Sequence, residues 1–198
     1  MATDYAKLTE NLTRFYDFTD KVVLFIGAAG RQLLDPKIRT KKLIIIDKDV
    51  QALRDLKAKI VAQGLQDSVE IIGASFEEVT LGGDAVYFEF CLHEMDDPAK
   101  VLFHAKSLAP DIVVYDHWTG SEWIYYGAEE DKVSCSSAAM EHFGIRRRQT
   151  FHAEQRFRSY DELLSKVSSQ GPLAVERAQR FAGATDIVIP MSYELNLL

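Results

Sequence analysis

Two short apolar runs, each ending at a residue suited to a ligand, constrain this chain more than any other feature. Val22-Val23-Leu24-Phe25-Ile26 stops at Gly27, and Leu43-Ile44-Ile45-Ile46 stops at Asp47. Runs of this length with no polar interruption read as strands buried on both faces, which places them in a parallel sheet. Gly27-Ala28-Ala29-Gly30 then reads as a tight turn whose backbone can approach a ligand closely. A carboxylate at the tip of the next strand can accept hydrogen bonds from both ribose hydroxyls. The pair points to a nucleoside ligand without saying which one.

The pattern continues downstream. Val69–Ile72, Asp84–Phe90 and Ile112–Tyr115 read as further strands, the second introduced by a Gly82-Gly83 turn. Between them, Leu53, Leu56, Ile60 and Val61 recur at helical spacing before Gly64, and Pro98–Leu108 reads as a helix before Pro110. Leu8, Leu12, Phe15 and Tyr16 predict an amphipathic helix within residues 1–20, and Pro36 limits the helix after the glycine turn to about two turns. Strands alternating with helices predict a three-layer α/β sandwich with ligands at the strand C-terminal ends. The last third is less regular. Trp118–Asp131 reads as a loop or short helix over the site, and Thr150–Phe157 and Asp186–Leu195 as two late strands forming an antiparallel edge. Helical stretches near Asp161–Ser169 and Leu173–Phe181 separate them. All 198 residues read as one domain, with residues 118–198 supplying a lid and substrate-side elements.

A net charge of −7 argues against a nucleic-acid binder, which would present a basic face. Cys91 and Cys135 are too few for a disulfide framework and lack metal-ligand spacing. The sequence shows neither a leader pattern nor an apolar run long enough to span a membrane, so the expected location is cytoplasmic, with no membrane partner. Arg146-Arg147-Arg148, with Arg156 and Arg158, reads as a charged strand edge rather than an anion site. Oligomeric state is not legible.

A dinucleotide turn needs G-x-G-x-x-G, but here Ala29 and Gln32 occupy the second and third glycine positions. The segment Asp84-Ala-Val-Tyr-Phe-Glu-Phe-Cys-Leu-His93-Glu-Met-Asp-Asp97-Pro98, followed by Ser107-Leu-Ala-Pro110-Asp-Ile-Val-Val-Tyr-Asp116, is similar in order and spacing to the class I S-adenosylmethionine-dependent methyltransferases. The resemblance covers about residues 20–117. It implies a Rossmann-like, seven-stranded, mostly parallel sheet of order 3-2-1-4-5-7-6 with strand seven antiparallel. It further implies S-adenosylmethionine as cofactor and S-adenosylhomocysteine as product; with the acidic balance and no clear RNA-binding extension, the expected acceptor is a small molecule. Gly27, Ala28, Ala29 and Gly30 would pass beneath the methionine and ribose, Asp47 would hold the ribose, and Lys48 would lie beside the adenine. Ser75 and Phe76 would flank the adenine, and Glu89 and Phe90 would line the methionine end. The chain departs from the family pattern at Phe25, at Ala29 and Arg31, and at Ala74 or Ser75. Those departures leave two alternatives open: an S-adenosylmethionine enzyme of another reaction, and a non-catalytic partner with this fold. RNA methylation is a weaker alternative.

Methyl transfer relies chiefly on positioning, with a base needed only when the acceptor loses a proton. His93 and His117, just past strands four and five, are the candidate catalytic residues. Asp116 beside His117 could orient a base, although neighbouring side chains on a strand point apart. Glu89, His93, Asp116, His117 and Glu122 could converge as mixed metal ligands, yet none lies in a local ligand motif, so no metal is assigned. In the aromatic stretch after strand five, Trp118, Trp123 and Tyr126 are candidate substrate contacts.

Overall fold

The two apolar runs pair in parallel as β1 (Val22–Ile26) and β2 (Lys42–Asp47), with Ile26 opposite Ile46. A computed structural model describes residues 5–27, 32–35 and 38–198 of the chain. Beside β2 lies β3 (Val69–Gly73), and on the other side of β1 follow β4 (Ala85–Glu89) and β5 (Asp111–His117), all parallel. Two long strands close the sheet: β6 (Arg147–Ser159) at the edge, and β7 (Thr185–Leu197) running antiparallel between β5 and β6. The order is β3-β2-β1-β4-β5-β7-β6, as the resemblance implies.

The Gly82-Gly83 turn has a steric reason. A Cβ on Gly83 would lie 2.8 Å from the Val22 carbonyl oxygen. Only glycine lets the chain come that close, and Asp84 uses the approach by accepting the Val22 N–H at 2.8 Å. The start of β4 is thereby fastened to the start of β1.

Alternate residues of each strand face opposite layers. Val23, Phe25, Leu43, Ile45, Tyr87 and Tyr115 pack beneath α1 (Tyr5–Phe15), α2 (Val50–Ala62), α4 (Glu122–Gly127), α6 (Tyr160–Val167) and α7 (Pro172–Ala178). Leu24, Ile26, Ile46, Val86, Phe88 and Val114 face α3 (Pro98–Leu108) and α5 (Glu130–Phe143). Each fully buried aliphatic or aromatic side chain contributes about 1.5–3 kcal/mol. Carboxylates start two of the helices: Asp49 accepts the Gln51 and Ala52 N–H groups at α2, and Asp97 accepts that of Lys100 at α3.

The structure adds three things to the sequence expectation. Helix α5 was not anticipated, because its buried positions Val133, Ser136 and Met140 include a serine and leave only a thin apolar stripe. Between Gly27 and β2, the described residues hold a single 3-10 turn, Gln32–Leu34, and Pro36 lies outside them. β6 and β7 each run 13 residues, longer than the apolar pattern suggests, because their outer portions pair with each other. Among the described residues, no helix is long and apolar enough to cross a membrane.

Candidate functional site

Strand order reverses between β1 and β4, and in open parallel sheets the crevice at such a point receives ligands. Here the C-terminal ends of β1, β2 and β3 and the loop after β4 enclose a cleft of about 280 Å³. Of the residues expected to bind cofactor, Gly27, Asp47, Lys48, Ser75 and Phe76 line it together. Ala28, Ala29 and Gly30 lie outside the described residues. Gly27 has φ +96°, donates its N–H to the Ile46 carbonyl at 3.0 Å, and would place any Cβ 3.5 Å from Cys91 Sγ. Asp47 Oδ1 accepts the Asp49 N–H at 2.8 Å, which fixes the carboxylate at the β2 tip.

The far wall follows β3. Ser75 Oγ donates to Glu77, and that bond above all holds the Glu77 carboxyl below its ordinary range. Phe76 contributes to the cleft wall while its ring is buried edge-on against Phe88 and His104. The loop after β4 adds Cys91, Glu94, Met95 and Asp96, which the sequence analysis did not assign to the cofactor. Their signal was the loop's position alone.

Glu89 ends β4 and Phe90 follows it, both beyond this cleft's lining. Glu89 is buried and accepts the Tyr87 hydroxyl at 3.0 Å. Phe90 sits at φ +49°, a left-handed conformation that costs a non-glycine residue energy. That backbone turn carries its ring to 4.6 Å from Tyr115 and 4.8 Å from His117, centroid to centroid.

Both candidate histidines are drawn into one buried group, with ring centroids 5.5 Å apart. His93 Nδ1 donates to Asp116 Oδ1 at 2.5 Å, and the His93 backbone N–H reaches Asp116 Oδ2 at 3.2 Å. Asp116 therefore orients His93, and meets its neighbour His117 only through the backbone N–H at 2.8 Å. Burial pushes the His93 imidazole down, but the charge and hydrogen bond of Asp116, with Glu94, outweigh it and raise the pKa to about 10. Burial dominates at His117 and lowers it to about 4, so that ring is neutral. A third member, Glu129, was missed by the sequence analysis. It immediately precedes α5 at the N-cap position, is 4% exposed, and places Oε2 3.9 Å from His117 Nε2. Burial raises its carboxyl above the ordinary range. Nothing local in the irregular stretch around residue 129 marks it.

The three candidate substrate-side aromatics separate in space. Trp123 is buried and stacks on Phe157 at 5.9 Å. Tyr126 is buried, with its hydroxyl accepting from Arg180 at 2.7 Å. Trp118 is partly exposed and packs over Gly120, where a Cβ would overlap its ring. Of the β6 arginines, Arg148 pairs with Glu141 and Glu194, Arg156 with Glu154, and Arg158 with Glu162, which agrees with a charged strand edge.

No protein-family model matches this chain, and neither does any curated protein. Solved structures do. The YcgJ protein from Bacillus subtilis superposes with a TM-score of 0.69 at 12% identity, over 96% of this chain and 98% of that one. A SAM dependent methyltransferase from Aquifex aeolicus gives 0.59 at 17% identity, over 98% and 96%. The fold is that of the class I methyltransferases. The same fold carries another chemistry in the precorrin 8w decarboxylase from Methanobacterium thermoautotrophicum, which superposes at 0.60 with 12% identity over 96% and 89%. A methyltransferase fold at such low identity describes architecture, and the reaction must be argued from the site.

Proposed function

We propose that this chain is an S-adenosylmethionine-dependent methyltransferase acting on a small-molecule acceptor. The observation that carries the reading is the cleft at the strand-order reversal, with the side-chain-free Gly27 on one wall and the Asp47 carboxylate at the β2 tip. The nucleoside fits these residues: Asp47 accepts ribose hydroxyls, Lys48, Ser75 and Phe76 surround the adenine, and the side-chain-free Gly27 lets the ligand approach the backbone closely. Glu89 and Phe90 shape the methionine end. When bound, S-adenosylmethionine supplies a sulfonium methyl group open to in-line attack.

On the acceptor side, positioning dominates. His93, in the loop after β4, and His117, the last residue of β5, are the groups at hand for the charge or proton of the acceptor, and Asp116 keeps His93 in one orientation. Trp118 offers a partly exposed ring to an apolar portion of the acceptor. A small molecule is favoured over nucleic acid because the net charge is −7 and the β6 arginines named above pair with carboxylates.

Isothermal calorimetry with S-adenosylmethionine and S-adenosylhomocysteine tests the reading. We expect both to bind, and Asp47→Asn to weaken binding about 10–100-fold with the fold retained, as expected for losing a charged hydrogen-bond acceptor. Absence of binding to the wild-type chain sinks the reading. Binding without methyl transfer across a broad acceptor screen turns it toward another reaction or a partner role.

A further inference from the structure

The loop after β4, the tip of β5 and the α4–α5 corner bring together His93, His117 and Glu129, with one donor atom from each within 4.8 Å of the others. We propose that these three side chains form a binding site for a divalent transition-metal cation of the zinc type.

The donor set is the first argument. Two imidazoles and a carboxylate suit a borderline cation such as Zn²⁺ and leave a further coordination position open to an oxygen ligand. Orientation is the second. A metal-bound histidine characteristically donates its remaining ring N–H to a carboxylate, which aims the other nitrogen at the ion. His93 does this, giving Nδ1–H to Asp116 at 2.5 Å; its Nε2 lies 3.5 Å from the Glu94 carboxylate, and the ion would take the place of the proton held there, which is released to solvent.

The third argument is an unexplained cost. Glu129 Oε2 is buried with no hydrogen-bond partner, and the Glu129 side chain is 5% exposed. Leaving a buried carboxylate oxygen unpaired is expensive, and a cation at this point removes that cost. The local backbone also makes room for the carboxylate. A Cβ on Gly127 would stand 3.0 Å from Glu129 Oε2. Donors around a tetrahedral zinc lie roughly 3.3 Å apart. The 3.9 Å between His117 Nε2 and Glu129 Oε2 is already near that spacing.

The test needs no cofactor. The full chain, stripped with a chelator, is titrated with Zn²⁺ alone by calorimetry while the ring signals of its five histidines are followed by NMR. One equivalent should bind, moving the His93 and His117 signals and leaving His104, His142 and His152 in place. Glu129→Gln and His117→Asn should each weaken binding at least about tenfold, whereas His142→Ala, on the exposed side of α5, should not. Failure of the wild-type chain to bind Zn²⁺ overturns the proposal, as does binding that moves the other histidines. The NMR measurement on the wild-type chain stands even where a variant fails to fold. Loss of Zn²⁺ binding leaves the nucleoside reading untouched, because S-adenosylhomocysteine affinity is measured separately.

Discussion

Gly27 meets two demands: its φ of +96° disfavours any side chain, and its bare α-carbon faces Cys91 at the cleft. The 3.5 Å separation between a built Cβ and Cys91 Sγ is ordinary contact, so strain rather than collision dominates the cost of substitution. Gly27→Ala should therefore destabilise the chain by about 1–2 kcal/mol in urea unfolding. Gly27→Asn should fall between alanine and wild type, because asparagine tolerates left-handed backbone better. A larger loss for asparagine than for alanine would point to collision instead. Gly27 and Asp47 were legible in the sequence because each simply ends an apolar run, and strand ends in a parallel sheet share one edge. Glu129 was not, because its place beside His117 depends on how α4 turns into α5 through Ala128 in a left-handed conformation.

Among the elements, α3 shows how local signals succeed. Asp97 caps it, Pro98 occupies the first turn, and Val101, Leu102 and Ala105 bury one face. Asp97→Ala should lower stability by about 1 kcal/mol, read as a reduced thermal midpoint, while leaving the cleft's ligand affinity unchanged. An unaltered midpoint would mean that the cap bond at Lys100 contributes nothing. The parallel half of the sheet was legible for the same reason: β1, β2 and β4 are short, apolar and bounded by glycine or aspartate. The antiparallel half was less so. In β6 the outward residues are charged and the inward ones mixed, so its pattern stops short of its true length. α5 buries a serine where a hydrophobic residue would have announced a helix.

At the scale of the molecule, one polar cluster joins distant parts of the chain. Asp111 at the start of β5 accepts the Tyr16 hydroxyl at 2.6 Å and Arg146 at 2.7 Å, and Arg146 also bonds the Leu198 carbonyl. Burial pushes the Asp111 carboxyl up, but Tyr16 and Arg146 together outweigh it and hold it below its ordinary value. A depressed carboxyl stabilises the fold fully above its unfolded pKa, about 4, and loses that contribution as pH falls through the folded value. The stability gap between wild type and Asp111→Asn should thus be widest above about pH 4 and narrow on further acidification. A gap independent of pH would show that the carboxylate's charge is not involved.

Strand order at this end of the sheet also differs from the order of synthesis. Among the described residues, β6 pairs in the sheet with β7 alone, and β7 follows it after α6 and α7. The thirteen residues of β6 therefore gain a sheet partner only when β7, the last strand in the chain, pairs with them. Arg148, Arg156 and Arg158 place charge along this strand, and charge on an edge strand discourages pairing with another chain.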